Sequence, residues 1–230
     1  MSSYLAVLGQ EVTQSKNTLL IGGTIGINKT TVEGLLVDNH ISINGRTRGE
    51  TNDRNGLNLS FLVQYDFWKY GYFKTGLGYF EKGAFVESEL IQDFNAQVNY
   101  LNIPLLFALK FPLNNQVNLA LESGVSLNTK IGCKGDGCLD LEDTFTSGPD
   151  PGPQLLTTKN PVDFSIGILI EYTLTNKNRL FVSYRHFRDL TYFYGSDKDL
   201  RFADADKPDA DFTATHKGNS INIGMLFPIN

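Results

Sequence analysis

Two features are missing from this 230-residue sequence: long hydrophobic runs and a strong excess of charge of one sign. No run of roughly eighteen apolar residues occurs, which excludes a transmembrane helix but not membrane-spanning strands, since these need only about 9 to 11 alternating residues. The formal net charge of -5 argues against nucleic acid as the main partner. The two cysteines have no further ligands near them to complete a metal site, and we expect neither a metal nor a cofactor.

Glycine and aromatic residues are plentiful instead, with 22 glycines, 16 phenylalanines and 10 tyrosines. Aromatic-rich sequence that is punctuated by glycine and has few helical patterns favours an all-β fold. Residues 100–111 and 117–130 show this best, because apolar and polar side chains alternate along both with a period of two. The segment between them, residues 112–116, is short enough to predict a hairpin turn.

Eight alternating segments of this kind follow one another along the chain: residues 18–28, 57–67, 72–83, 100–111, 117–130, 162–173, 179–190 and 220–227. Short connections and long polar ones alternate strictly between the segments. In an up-and-down barrel this places every short turn at one rim and every long loop at the other. The sequence therefore predicts a closed, antiparallel, eight-stranded transmembrane β-barrel of the outer membrane, with short periplasmic turns and long extracellular loops.

The barrel is predicted as a single domain over residues 17–230, preceded by an N-terminal segment, residues 1–16. This segment lacks a basic start, but Val7 and Gly9 before Gln10 resemble a cleavage site. We interpret it as the remnant of a signal peptide; a disordered N-terminus is the alternative.

The two faces of the predicted strands differ in polarity. If the apolar faces contact lipid, the opposite faces carry charges of both signs into the barrel, and the sites are Lys74, Lys110, Glu122, Glu171 and Arg185. The interior of an eight-stranded barrel is only wide enough to be filled by side chains, so we expect a paired charge network that plugs the lumen.

A soluble, lipocalin-like barrel that binds a small ligand is the alternative, with the apolar faces inside. The membrane barrel is favoured because aromatic residues cluster around one short turn, as in an interfacial girdle, at Tyr65, Phe67, Trp68, Tyr70 and Tyr72.

Residues 100–111 read YLNIPLLFALKF and residues 122–128 read ESGVSLN. This pair of strands resembles the PorT-like outer-membrane β-barrel family of Bacteroidota, in which a Y-L-x-I-P-L-L strand precedes a strand with a central glycine. GLGYFEKG at residues 76–83 is similar to a strand end of that family. The resemblance implies a membrane barrel associated with secretion or envelope machinery. Pro104 has no backbone N–H to donate to a neighbouring strand, so we expect a bulge or local irregularity there.

Three further groups of residues lie in the predicted loops. Cys133 and Cys138 stand five apart in a glycine-rich loop, which predicts a local disulfide in an exported protein; two free thiols are the alternative. Tyr192, Phe193 and Tyr194 begin an acidic loop and are candidates for contacts at the rim. The aspartates of that loop, between residues 197 and 211, lack the spacing of a calcium loop, and we interpret the loop as solvated. Divalent ions that bridge these aspartates to lipopolysaccharide are the alternative.

A hydrolytic set of Ser183, His186, Asp189 and Glu171 would make the barrel a lipid-modifying enzyme of the outer leaflet. Strand parity opposes this, because Ser183 would face inward and His186 outward. His40 and His216 fall in predicted loops. We therefore predict a non-enzymatic, monomeric structural or interaction protein that acts through its extracellular loops, with outer-membrane lipid or lipopolysaccharide and an envelope or secretion protein as partners.

Overall fold

The computed structural model describes residues 17–33, 40–43, 46–88, 94–134, 160–191, 194–195 and 213–229. No helix in these ranges is long and apolar enough to cross a membrane. The eight long strands are β1 Thr18–Glu33, β2 Arg46–Trp68, β3 Gly71–Ser88, β4 Phe94–Pro112, β5 Val117–Lys134, β6 Val162–Thr173, β7 Arg179–Asp189 and β8 Thr213–Ile229. Two short strands, His40–Ile43 and Tyr194–Gly195, pair with β2 and β8.

The eight long strands form a closed barrel. Each pairs with the next strand along the chain in antiparallel register, and β8 pairs with β1 to complete the ring. Leu19 at the start of β1 faces Ile229 on one side and Tyr65 on the other. The predicted up-and-down barrel is therefore confirmed.

Most of the large apolar side chains lie on the outside of this barrel, and most of the buried side chains on its inner face are polar or charged. Ile27 and Leu59, for example, are 60% and 58% exposed, whereas their neighbours Asn28 and Asn58 are buried. Lysines, glutamates, serines and asparagines line the inner face of the strands. The soluble, lipocalin-like alternative is wrong, because it requires an apolar interior and a charged exterior.

Three short turns join the strands at one rim, at residues 69–70, 113–116 and 174–178. In the second turn Asn114 Oδ1 accepts hydrogen bonds from the backbone nitrogens of Gln116 and Val117, each at 2.8 Å. In the third, Lys177 adopts a positive φ of 67°. These are the predicted short turns of the periplasmic rim.

Several strands extend further at the opposite rim than the sequence pattern predicts. β2 begins at Arg46 and β8 at Thr213, where the alternation predicts starts near residues 57 and 220. The added residues are mostly polar and are held by hydrogen bonds between neighbouring strands, with pairs such as Thr51 with Val86. His216 consequently lies in β8, and His40 begins the short strand His40–Ile43. Both positions correct the prediction that these histidines fall in loops.

Pro104 interrupts one ladder without changing its register. β3 and β4 pair Thr75 with Leu105 and Gly78 with Asn102, and the residues between these pairs are not bridged. On its other side Pro104 pairs with Ser126 in regular register. The missing N–H of proline is thus accommodated by a gap in the ladder, and the register shift between β4 and β5 lies instead at Asn99 and Tyr100.

Candidate functional site

Buried charged side chains in the lumen form the candidate site. Because successive residues of a strand point to opposite faces, the residues at every second position of each strand meet inside the barrel. Three clusters result. The periplasmic cluster consists of Asp66, Lys110, Glu171 and Arg179, the central cluster of Tyr72, Lys74, Glu122 and Arg185, and the extracellular cluster of Lys82, Asp163, Asp189 and His216.

The central cluster is organised around Glu122, which is 1% exposed. Its carboxylate accepts a hydrogen bond from the Tyr72 hydroxyl at 2.7 Å and another from Arg185 Nη2 at 3.0 Å. Lys74 Nζ forms a salt bridge with the same carboxylate. One buried acid therefore joins strands β3, β5 and β7 across the lumen.

The periplasmic cluster is a chain of alternating charges. Asp66 lies 2.7 Å from Lys110 Nζ and 2.7 Å from Arg179 Nη1, and it also accepts a hydrogen bond from Gln64 at 2.9 Å. Arg179 reaches on to Glu171 at 3.4 Å. Two cations and two anions thus compensate one another near the short turns, as buried charges require.

An apolar ring lies among these charges. Its members are all buried, and each of the eight strands contributes one of them: Leu20, Leu62, Tyr72, Ala108, Ala120, Leu169, Phe181 and Leu226. The large side chains of Leu62, Leu169 and Phe181 come from β2, β6 and β7, while β4 and β5 contribute alanines. One buried apolar cluster thus takes a residue from each of the eight strands.

The extracellular cluster holds a fully buried ammonium group. Lys82 Nζ lies 2.6 Å from Asp163 and 3.0 Å from Asp189. It also lies 5.4 Å from the ring centroids of Tyr100 and Phe187, within the range of cation–π interactions. His216 Nδ1 is 2.8 Å from the second oxygen of Asp189.

All five residues predicted for the lumen network are inside the barrel, but they do not form one network. Lys74, Glu122 and Arg185 meet in the central cluster, whereas Lys110 and Glu171 lie in the periplasmic cluster and are linked only through Asp66 and Arg179. The alternation also places Asp66, Lys82 and Asp163 inside, where they take part in the clusters. The sequence prediction lacked Asp189, Arg179 and His216 as lumen residues. Arg179 shares the parity of Arg185, so the alternation of β7 could have identified it. Nothing in the local pattern marks His216 as a strand residue.

The residues considered for a hydrolytic set lie on different faces of the barrel. Ser183, Asp189 and Glu171 are buried in the lumen, whereas His186 is exposed on the outside. His186 Nδ1 is 2.9 Å from Asn219 Oδ1. Across the part of the chain that the structure describes, no group of three or more histidine, cysteine, aspartate or glutamate side chains is arranged to hold a metal ion.

The loop candidates fall mostly outside the described residues. Cys133, at the end of β5, is disulfide-bonded, and Cys138 lies outside the described ranges. Tyr192 and Phe193 also lie outside them, as do the aspartates between residues 197 and 211. For Tyr194 the structure describes the backbone, which pairs with Ala214 of β8.

The outer surface identifies the surroundings of the barrel. Rows of exposed leucine, isoleucine, valine and phenylalanine cover it, and aromatic residues gather at the rim of the short turns. Trp68 is 52% exposed and packs edge to face on Tyr70, with ring centroids 5.3 Å apart. Tyr72, which was predicted to belong to this girdle, points into the lumen instead. An apolar band with an interfacial aromatic girdle around a closed barrel is suited to lipid. The protein is an outer-membrane β-barrel.

The fold is similar to that of several solved structures. OprG from Pseudomonas aeruginosa is 9% identical with a TM-score of 0.47, and the match covers 93% of this chain and 96% of OprG. Neisserial surface protein A is 10% identical with a TM-score of 0.43, and the match covers 90% of this chain and 97% of that protein. AlkL, solved in lipid bilayers, is 12% identical with a TM-score of 0.45, covering 100% of this barrel chain and 97% of AlkL. The sequence matches no protein-family model and no curated protein.

Proposed function

We propose that this outer-membrane barrel has a plugged lumen and acts as a structural or interaction protein through its extracellular rim. The observation that carries the proposal is the apolar ring, because it takes one buried residue from every strand. Charge clusters that are bonded internally lie around this ring. A lumen filled in this way offers no continuous path for ions, so the barrel serves to hold and position its rim.

Several strands are longer than a membrane crossing requires. β2 has 23 residues and β4 has 19, whereas a tilted strand needs only about 9 to 11 residues to cross the membrane. The surplus lies on the side away from the short turns, where outward-facing residues are polar, such as Asp53 and Lys29. Rigid scaffolds that carry loops at one end commonly bind partners there.

The kind of partner follows from the sequence resemblance. Membership of the PorT-like family, suggested by residues 100–111 and 122–128, points to secretion or envelope machinery of the outer membrane. In this proposal the barrel is a monomer that contacts lipid or lipopolysaccharide around its wall and an envelope or secretion protein above it. Tyr192, Phe193 and Tyr194 are the first candidates for that contact.

Planar-bilayer recording tests the plugged lumen. The wild type should show no stable single-channel currents. A triple variant, Leu62→Ala with Leu169→Ala and Phe181→Ala, removes the large side chains of the ring on three strands and should admit ions. The matched control changes outward residues of the same strands, Leu59→Ala with Ile168→Ala and Val182→Ala, and should stay silent. Large, stable currents from the wild type would refute the proposal.

Loop deletions test the interaction. Removing residues 140–158 or residues 197–212 leaves both cysteines and all of β8 in place. Crosslinking in the host outer membrane should capture a protein partner with the wild type and lose it with at least one deletion, while lipid A stays unchanged. Altered lipid A on His186→Ala alone, with the barrel still folded, would contradict the proposal and support the enzyme.

A further inference from the structure

A small cavity adjoins the central cluster inside the lumen. Its volume is about 30 Å³, enough for one or two water-sized species. Short polar side chains make up much of its lining, among them Thr24, Ser60, Asn102, Ser183, Ser220 and Asn222. A polar cavity of this size is occupied in a folded protein, because its polar lining groups need hydrogen-bond partners.

The charges around the cavity are unbalanced. Lys74 and Arg185 both line it, and none of the described lining residues is a carboxylate. Both cations are bonded to the same acid, Glu122. Within the central cluster two positive charges therefore share one negative charge, whereas the periplasmic cluster pairs two with two. The opposite excess, one lysine with two aspartates, lies in the extracellular cluster, where Lys82 stands eight residues further along β3 than Lys74. An excess buried charge is costly unless a counter-charge accompanies it.

Unsatisfied donors point to the same kind of occupant. Asn58 Nδ2 and Arg185 Nε are buried and have no hydrogen-bond partner, and both residues line the cavity. The Asn58 side chain is well enclosed, since the residue is only 4% exposed. A guanidinium nitrogen can donate but cannot accept a hydrogen bond. The missing partner of Arg185 is therefore an acceptor.

We infer that this cavity binds one small monovalent anion of the halide class, such as chloride. Arg185 and Asn58 donate hydrogen bonds to it, and its charge offsets the excess cation of the central cluster. Water alone would satisfy the donors but would leave the excess charge of the central cluster in place. The inference is independent of the proposed function, because it concerns how the barrel interior is neutralised.

Bromide makes the site visible. The barrel should be refolded in detergent and crystallised in sodium bromide, and anomalous scattering should be measured at the bromine edge. We expect a peak within hydrogen-bond distance of Arg185 Nε and Asn58 Nδ2. Density for water molecules without an anomalous signal in the cavity would overturn the inference.

Halide-dependent stability gives a solution test. Thermal unfolding is compared in sodium bromide and sodium sulfate at equal ionic strength for the wild type, Asn58→Asp and Asn128→Asp. Asn58→Asp places a carboxylate in the cavity, whereas Asn128 is an equally buried lumen residue outside the lining. At a halide concentration of about ten times the dissociation constant, the unfolding midpoint of the wild type and of Asn128→Asp should rise by roughly 3 to 6 °C.

Asn58→Asp should lose this increment, because its carboxylate replaces the anion. An equal response of all three proteins would reveal a general salt effect and would overturn the inference. If Asn58→Asp does not fold, the anomalous signal of the wild type decides the matter by itself.

Discussion

Asp189 binds His216 twice through a single carboxylate oxygen. Oδ2 accepts one hydrogen bond from the backbone nitrogen of His216 and one from Nδ1 of its ring, each at 2.8 Å. Because an ionised carboxylate can only accept hydrogen bonds, Nδ1 of His216 carries a proton. The other oxygen of Asp189 contacts Lys82 at 3.0 Å, so this one carboxylate connects β7 with β8 and with β3.

Asp189→Asn should destabilise the barrel strongly. The amide presents a donor where two donors already converge, and it leaves Lys82 with one counter-charge instead of two. We expect the free energy of unfolding to fall by about 3 to 5 kcal/mol, as for other broken buried ion pairs. A urea titration measures this free energy, with the folded fraction at each urea concentration scored by the gel migration of unboiled samples.

The matched control for this variant is Asp53→Asn. Asp53 pairs with Lys29 at 2.7 Å, but both side chains are largely exposed, and such a pair contributes about 0 to 1 kcal/mol. Equal losses for the two variants would show that burial of the extracellular cluster does not matter for stability.

Removal of Glu122 should cost more than removal of Glu171. Glu122→Ala leaves Lys74 and Arg185 without an anion, and a loss of about 3 to 5 kcal/mol is expected. After Glu171→Ala, Arg179 keeps its contact with Asp66 at 2.7 Å, so we expect a loss of only about 1 to 3 kcal/mol. Urea midpoints of the two variants give the order directly. The reverse order would mean that the periplasmic cluster, and not the central one, dominates the interior.

Gly22→Ala should impair closure of the barrel, whereas Gly23→Ala should not. A Cβ atom on Gly22 would lie 1.8 Å from the backbone oxygen of Met225, across the ladder between β1 and β8. On the neighbouring Gly23 it would lie 3.4 Å from the backbone oxygen of Ser60, close to an ordinary contact. We expect a loss of about 1 to 3 kcal/mol for Gly22→Ala.

Heat-modifiable migration on gels scores the fraction of each glycine variant that reaches the closed barrel. Full closure of Gly22→Ala at wild-type stability would show that β1 and β8 can separate at this point without cost.

Trp68 should report the depth of the short-turn rim. It is the only tryptophan of the chain and is exposed on the outer surface beside Tyr70. Lipids brominated near the headgroup should quench its fluorescence more than lipids brominated near the chain ends, because aromatic girdles lie at the interface. Strongest quenching by the deepest bromines would place this rim inside the hydrocarbon layer.

Sequence alternation predicts the strands well where one face meets lipid. The pattern ends at Val162 and Thr173, and β6 has the same bounds. It fails for the start of β2, because residues 46–56 contain no large apolar side chain and are held by backbone pairing with β3 instead. Such pairing leaves no period in the sequence, and His216 was missed for the same reason.

The alternation of inward and outward positions along a strand also predicts which charged side chains lie in the lumen, but it does not predict which of them form ion pairs. Lys110 and Glu122 are both inward on adjacent strands, yet Lys110 reaches Asp66 of β2. Partners are set by the stagger of the strands and by side-chain length across the lumen, and neither is visible in one strand. The apolar ring is equally hidden, since its members are single residues scattered over eight strands.

The ladder between β1 and β8 makes the fold a ring in the topological sense. Leu19 and Ile229 face each other, so a short peptide could join these two positions, and the chain could be opened at another hairpin without changing any interior contact. Each of the eight connections is then a place where the chain could be opened without removing any strand from the ring. A circularly permuted chain whose ends lie between β5 and β6 would keep all three charge clusters and the apolar ring.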